Sequence, residues 1–121
     1  MLELKGVLRL KSYKILLGCV SGMSTSMVVN YMKRASIKYD FPIEISYTIE
    51  SDIESEAIHY DLVMLGPQLR TSRRRFEKKL SKYHIPVIAI PVALFSDMEG
   101  EKILDYAIEQ IDNYRKGREN K

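Results

Sequence analysis

Residues 13–26 read YKILLGCVSGMSTS, and this stretch predicts the fold because its pattern changes from that of a strand to that of a helix. An apolar run ends at Cys19, the single cysteine of the chain, and Gly22 follows among four hydroxyl side chains. Helical spacing of apolar residues comes next, at Met27, Val28, Tyr31, Met32 and Ala35. A strand, a loop and a helix therefore follow one another, with the cysteine at the junction.

The junction has the composition of an anion-binding loop. Successive backbone N–H groups, a flexible glycine and the positive end of a helix together bind a tetrahedral oxyanion such as phosphate. The same field favours the thiolate of Cys19, the form of cysteine that attacks phosphorus. The alternative is a buried structural thiol, with Ser24 or Thr25 serving as the helix N-cap. Four hydroxyls around a glycine favour the nucleophile.

The rest of the chain continues with the same alternation of a strand and a helix. Strands are predicted at 13–18, 43–49, 61–65 and 85–90, and helices after Cys19, from 51 or 52 to about 59, over 72–83 and over 98–114. Because parallel strands need helical crossovers, we expect an α/β fold, a three-layer sandwich with a four-stranded parallel sheet and a P-loop after the first strand. The strict alternation in 43–49 places that strand at an edge.

In such a sheet, ligands bind beyond the carboxyl ends of the strands, where the strand order reverses. Cys19 follows the first strand, and the turn Gly66-Pro67-Gln68 follows the third. We therefore expect the cysteine and this turn to be neighbours.

Length and composition favour one domain. We predict a core domain over 12–114, a lead over 1–11 that is either a short strand or a poorly ordered arm, and a polar tail over 115–121 that is solvated or disordered. No apolar run approaches a membrane span or a secretory signal, which favours a cytoplasmic protein. A single cysteine excludes an internal disulfide, and His59 and His84 show no metal-ligand spacing, so neither metal nor cofactor is expected.

Charge is uneven although the net charge is only +3. Basic residues crowd one segment: Arg70, Arg73, Arg74, Arg75, Lys78, Lys79 and Lys82. Acidic residues crowd another: Glu44, Glu50, Asp52, Glu54 and Glu56. The basic segment is either a docking face or the solvated side of a helix. Nucleic-acid binding is disfavoured because the segment holds one aromatic residue, Phe76, and no reading motif.

Three motifs carry a resemblance to a known family: CVSGMSTS after the first strand, DLVMLGPQLR at the third strand and MEGEKIL at the opening of the last helix. Together, over about residues 12–112, they resemble the enzyme IIB component of the lactose/cellobiose class of bacterial sugar phosphotransferase systems. The GMSTS form is more similar to the cellobiose and chitobiose branch. The chain departs from that pattern at Thr71 and at Phe95-Ser96, where relatives commonly have a tyrosine and Tyr-Gly, and its N-terminal lead is longer than usual.

The resemblance implies a small cytoplasmic phosphoryl carrier. Its cysteine takes a phosphoryl group from a histidine of enzyme IIA and passes it to a sugar bound by the membrane component, enzyme IIC. The family's phosphocysteine falls on Cys19, its GPQ turn on Gly66, Pro67 and Gln68, and its phosphate-binding loop on Val20, Ser21, Gly22, Met23, Ser24, Thr25 and Ser26. A carrier that shows one cysteine to two partners in turn is expected to be a monomer. Arg70, Arg73, Arg74 and Arg75 are candidates for docking an acidic rim on either partner.

Two other functions compete. A low-molecular-weight cysteine-dependent phosphatase also places a thiol in an anion loop, but it needs an arginine where this chain has Thr25 and an acid for which Asp97 is the late candidate. A non-catalytic anion-sensing module would use the same loop without covalent transfer. It predicts phosphate binding that survives Cys19→Ala.

Overall fold

The structure, a computed structural model, describes residues 12–119. Its strands are β1 (Tyr13–Cys19), β2 (Ile43–Ile49), β3 (Leu62–Leu65) and β4 (Val87–Ala89). Its helices are α1 (Gly22–Ala35), α2 (Ile53–Ala57), α3 (Arg73–Leu80), α4 (Val92–Ser96) and α5 (Gly100–Glu119). Short 3₁₀ turns lie at Ser36–Lys38, Glu50–Asp52, Pro67–Ser72 and Ser81–Tyr83.

The four strands form one parallel sheet in the order β2-β1-β3-β4. The predicted α/β fold and the edge position of β2 are thereby confirmed. β1 lies between β2 and β3, so the chain leaves β1 towards one side and later returns to the other. In this register Cys19 lies opposite Ile49 of β2, and Gly18 lies opposite both Thr48 of β2 and Leu65 of β3. The strand order reverses at β1, which ends in the cysteine.

Both faces of the sheet are covered, and each carries a hydrophobic core. In β1, Ile15 and Leu17 face one core, whereas Leu16 faces the other. The first core includes residues of α1, α4 and α5, namely Val28, Val29, Met32, Phe95, Ile103, Leu104, Ala107, Ile108 and Ile111. The second includes residues of α2 and α3, namely Ile53, Ala57, Phe76 and Leu80. Burial on both faces explains why β1 reads as a continuous apolar run.

The last helix runs further than predicted. We expected residues 115–121 to lie outside it, but α5 continues to Glu119 and includes Gly117. A glycine inside a helix costs only about 1 kcal/mol, so it need not end one. Arg115 also holds this end of α5, because it donates to the carbonyl oxygen of Ser12 at 2.9 Å. The predicted helix end at Tyr114 is therefore wrong, and so is a disordered tail for the residues up to Glu119, although Lys116, Gly117 and Arg118 are exposed to solvent.

Smaller differences concern the ends of elements. The sequence reading missed the short helix α4 and made α3 longer than it is, because a 3₁₀ turn on each side continues its pattern. Strand β4 is shorter than predicted and lies between Pro86 and Pro91. The prediction for residues 1–11 falls outside the described part of the chain. No helix within residues 12–119 is both long enough and apolar enough to span a bilayer.

Candidate functional site

Cys19 is the last residue of β1, and its side chain is only 2% exposed. The thiol donates a hydrogen bond to the backbone carbonyl of Thr48 on β2, with 3.4 Å between Sγ and the oxygen. The burial matches what a structural thiol would show, and the position matches what a nucleophile at the carboxyl end of a parallel strand would show. The surroundings of the thiol must decide between these two.

Helix α1 starts sooner after the cysteine than predicted. Only Val20 and Ser21 separate β1 from α1, which begins at Gly22. Ser21 holds the N-cap position with an extended backbone, at φ −135° and ψ 154°, but its hydroxyl makes no capping bond. The prediction that Ser24 or Thr25 is the N-cap is therefore wrong. Both lie within the first turns of α1.

The short loop leaves backbone donors free. The first N–H groups of any helix have no partner within the helix, and in α1 these belong to residues 21–24. The positive end of the helix dipole adds to their field. No acidic residue lies in the first turn to compete for these groups. The start of α1, which only two residues separate from Cys19, is therefore able to hold an anion.

The four hydroxyls of the motif have different surroundings. Ser21 and Ser24 are exposed, whereas Thr25 is 2% exposed. The hydroxyl of Ser26 donates to the carbonyl of Met23 at 2.8 Å. Ser21 and Ser24 are thus the hydroxyls best placed to meet a ligand from solvent.

The turn over Gly66, Pro67 and Gln68 lies against the end of β1. The N–H of Gly66 donates to the carbonyl of Gly18 at 2.9 Å, one residue before the cysteine. A Cβ on Gly66 would lie 3.5 Å from that oxygen and 3.9 Å from Cε2 of Phe95. The turn and β1 therefore approach closely, and the buried ring of Phe95 backs the turn from the α4 side.

Sequence reasoning missed Tyr47 as a neighbour of the loop. A Cβ on Gly22 would lie 3.1 Å from Cε2 of the Tyr47 ring, so the ring covers the start of α1 and restricts position 22 to a small residue. The alternation of β2 identified Tyr47 as a strand residue. Its place beside Gly22 depends on the pairing of β2 with β1, for which the sequence carries no local signal.

Exposed apolar side chains belong to the loop after Cys19, to α1 and to the end of β2, and we call them the apolar rim. They are Val20 at 55% exposed, Met23 at 80%, Met27 at 44%, Tyr47 at 44% and Ile49 at 45%. The first three belong to the loop and α1, and the last two lie at the end of β2. Clustered exposed apolar side chains of this kind mark protein–protein contact surfaces.

The basic segment lies on α3 and its flanking turns. Arg73 pairs with Glu77 at 2.8 Å, and Arg75 pairs with Glu50 at 3.1 Å. Arg70 and Arg74 are exposed and form no ion pair within residues 12–119. Over the same residues, no three histidine, cysteine, aspartate or glutamate side chains are grouped as metal ligands.

Fold and site together define a class of protein: a parallel α/β domain with a cysteine at the end of its central strand, directly before the start of a helix. A family model described as "PTS system, Lactose/Cellobiose specific IIB subunit" matches residues 14–106. The chain belongs to this family.

Similar proteins agree with that assignment. The chain is 30% identical over 100 residues to the PTS system oligo-beta-mannoside-specific EIIB component of Bacillus subtilis (strain 168), with 83% of this chain and 97% of that protein covered. It is also 30% identical over 95 residues to the PTS system galactose-specific EIIB component of Lactococcus lactis subsp. cremoris (strain MG1363), covering 74% and 88%.

Two solved structures share the fold. The cellobiose-specific phosphotransferase IIB component protein from Borrelia burgdorferi superposes with a TM-score of 0.71 at 31% identity, covering 87% of this chain and 96% of that one. The lactose-specific IIB component domain from Streptococcus pneumoniae superposes with a TM-score of 0.73 at 18% identity, covering 82% and 97%. At that lower identity, the second likeness concerns the fold alone.

Proposed function

We propose that this IIB component is a cytoplasmic phosphoryl carrier whose phosphorylated residue is Cys19. The carrying observation is the position of the thiol, which ends the central strand directly beside the free N–H groups of residues 21–24. A cysteine with a purely structural role does not need unpaired N–H groups beside it. Family membership supplies the partners: enzyme IIA as donor, and enzyme IIC with its bound sugar as acceptor.

In the first step, Sγ of Cys19 attacks the phosphorus of a phosphohistidine on enzyme IIA. The S–P bond forms as the P–N bond breaks, and the imidazole nitrogen keeps the electron pair and, in net terms, takes up the thiol proton. The N–H groups at the start of α1 hold the phosphoryl oxygens, so positioning and electrostatics do most of the work. In the second step a sugar hydroxyl attacks the phosphorus, the S–P bond breaks, and the hydroxyl proton leaves to a base on the acceptor side.

Burial of Cys19 adds a condition to this mechanism. At 2% exposure, with its S–H bonded to Thr48, the thiol cannot meet phosphorus until that bond opens and Sγ turns towards the loop. The exposed apolar rim gives a partner a surface to dock on while this happens. Docking over the rim would also exclude water and so protect the phosphoryl group from hydrolysis.

The sugar is a small β-linked or galactose-type carbohydrate by analogy with the oligo-beta-mannoside, galactose and cellobiose proteins that the chain resembles. The cellobiose-like form of the loop favours a disaccharide of the cellobiose or chitobiose kind. Which of these is transported depends on enzyme IIC, since that component holds the sugar.

The test is the intact mass of the protein after incubation with phosphoenolpyruvate, enzyme I, HPr and a cognate enzyme IIA. We expect wild type to gain one phosphoryl group that maps to Cys19 and Cys19→Ser to gain none. Gain of the group at another residue, or equal gain in the variant, would overturn the assignment.

An aryl-phosphate assay on the same sample addresses the competing phosphatase. We expect no turnover that depends on Cys19, because Thr25 stands where that class needs an arginine. Steady turnover lost in Cys19→Ser would replace the carrier by a phosphatase. Phosphate binding without covalent transfer, retained in Cys19→Ala, would indicate the anion-sensing module.

A further inference from the structure

The structure divides the seven basic residues around α3 into two sets. Arg73, Arg75 and Lys79 form ion pairs with Glu77, Glu50 and Glu54, at 2.8, 3.1 and 3.6 Å. The other four are exposed and have no ion pair in the part of the chain that is described. These four, Arg70, Arg74, Lys78 and Lys82, form what we call the outer basic patch.

Helical geometry explains the division. Phe76 and Leu80 face the core, and Arg74 and Lys78 each precede one of them by two residues. At about 100° per residue, that offset places Arg74 and Lys78 roughly opposite the buried face. They are also neighbours, since side chains four apart lie on the same side of a helix.

Arg75 and Lys79 are also four residues apart, and each follows Arg74 or Lys78 by one residue, which is a rotation of about 100° around the helix axis. They therefore point towards α2 and the 3₁₀ turn at Glu50–Asp52, where Glu50 and Glu54 neutralise them. The charges of Arg74 and Lys78 are not neutralised by any ion pair in the described residues. Arg70 and Lys82, in the 3₁₀ turns at either end of α3, lengthen the patch in both directions.

The patch starts near the reactive end of the molecule. Arg70 follows the Gly66–Gln68 turn closely, and Gly66 is bonded to Gly18, next to Cys19. From there α3 leads away from the carboxyl ends of the strands. A protein that reaches Cys19 can therefore extend along this helix at the same time.

We infer that the outer basic patch docks an acidic protein surface on the phosphoryl donor, enzyme IIA, an inference that rests on the proposed function. Uncompensated charge accelerates the encounter of diffusing partners, whereas charge already paired within the chain contributes little. The docking role therefore belongs to Arg70, Arg74, Lys78 and Lys82. Arg73 and Arg75, which the sequence also suggested, are occupied by Glu77 and Glu50.

A protein fits this surface better than an anionic membrane does. Arg75 and Lys79, on the side of α3 next to the patch, already hold Glu50 and Glu54, but Asp52 and Glu56 of the same acidic segment are exposed and form no ion pair in the described residues. A flat anionic bilayer that extended past the patch would meet these two carboxylates and be repelled by them. A shaped protein surface can place its carboxylates on the patch alone.

The test compares two matched variants, Arg74→Gln/Lys78→Gln and Arg75→Gln/Lys79→Gln. Each removes one arginine and one lysine, four residues apart, from the same helix. We expect the first to lower kcat/KM for phosphoryl transfer from phosphorylated enzyme IIA by roughly 5- to 20-fold at low salt, and the second by less than about 2-fold. The difference should vanish at about 0.5 M salt, where exposed charges are screened. Thermal unfolding of both variants checks that each is folded.

Three other results would overturn the docking role of the patch. Equal rates in the two variants, or a difference that salt does not reduce, would overturn the docking role while leaving Cys19 phosphorylation intact. Unchanged transfer together with patch-dependent binding to phosphatidylglycerol vesicles would assign the patch to a membrane surface instead. Absence of phosphorylation even in wild type would overturn the proposed function, and this inference with it.

Discussion

Cys19 and Tyr13 stand at opposite ends of β1, and each shows how strand position sets the environment of a side chain. Cys19 is next to the free N–H groups that start α1, and its S–H is bonded to Thr48. Tyr13 is buried under the far end of α5, where its hydroxyl donates to a carboxylate oxygen of Asp112 at 2.7 Å. Cys19 is thus close to backbone donors that favour an anion, whereas the Tyr13 hydroxyl is bonded to the carboxylate of Asp112.

Tyr13 leads to a prediction about stability at high pH. Burial, and then the hydrogen bond to Asp112 and its charge, raise the pKa of Tyr13 from 10.0 to about 12. Because the folded pKa lies above the unfolded value, the stabilisation is complete below pH 10 and is lost as the pH rises towards 12. We expect the free energy of unfolding to fall by on the order of 2 kcal/mol across that window from this group.

Urea unfolding at a series of pH values measures the effect, with Tyr13→Phe as the control. The pKa of Tyr39 is also raised, by burial and by its bond to Asp105, so wild type carries a second contribution of the same sign. Tyr13→Phe should therefore lose part, and not all, of the pH dependence of the free energy of unfolding. An identical slope in both proteins would contradict the role assigned to Tyr13.

At the scale of elements, the contact of α5 with α1 depends on Gly100, which lies within the MEGEKIL motif. A Cβ at this position would lie 2.5 Å from Cβ of Tyr31, 2.6 Å from its carbonyl carbon and 2.7 Å from the nitrogen of Met32. Two of these atoms belong to the backbone of α1, so the contact cannot be relieved by turning a side chain. The two helices approach closely because this residue has no side chain.

Gly100→Ala should therefore destabilise the protein by about 3 kcal/mol, since the helices must separate. Gly117→Ala is the matched control in the same helix, because a Cβ there has no neighbour within 4 Å. Alanine is the better helix former, so that change should stabilise by up to about 1 kcal/mol. Urea denaturation of the two variants measures both values. Equal stability of the two would show that α5 packs differently against α1.

At the scale of the molecule, the candidate site lies at one end of the sheet and a cluster of stabilising contacts lies at the other. The carboxyl end holds Cys19, the Gly66 turn and the apolar rim. The amino end holds an anchor in which Arg115 donates to the Ser12 carbonyl, lies 3.4 Å from a carboxylate oxygen of Asp61 and covers the Tyr13 ring at 5.0 Å. This anchor ties the end of α5 to the start of β1.

Arg115→Gln should cost about 1 kcal/mol of stability, because the pair with Asp61 is partly solvated while the bond to Ser12 is lost. It should leave the rate of Cys19 phosphorylation unchanged at a temperature where the variant is folded. Arg118→Gln is the control, since Arg118 is exposed and makes no ion pair in the described residues. Thermal unfolding and the intact-mass assay give the two readouts. A slowed transfer in Arg115→Gln alone would show that the ends are coupled.

Local patterns in the sequence were enough to determine the α/β class, the parallel sheet, the edge position of β2 and the position of Cys19 at a strand end. Strand and helix periodicities are properties of short segments, so they can be read without knowing what packs against them. The end of α5 was misjudged because its last residues are polar, and the bond that holds them there joins Arg115 to Ser12, far away in sequence.

Tertiary structure alone decided which groups surround Cys19 and α3. The hydrogen bond of Cys19 to Thr48, the cover of Tyr47 over Gly22 and the contact of Gly100 with α1 all depend on strand register and helix packing. The division of the basic residues depends on which side of α3 faces Glu50 and Glu54. Each of these joins segments distant in the chain, and one residue of register shift would replace every one of the partners across the sheet.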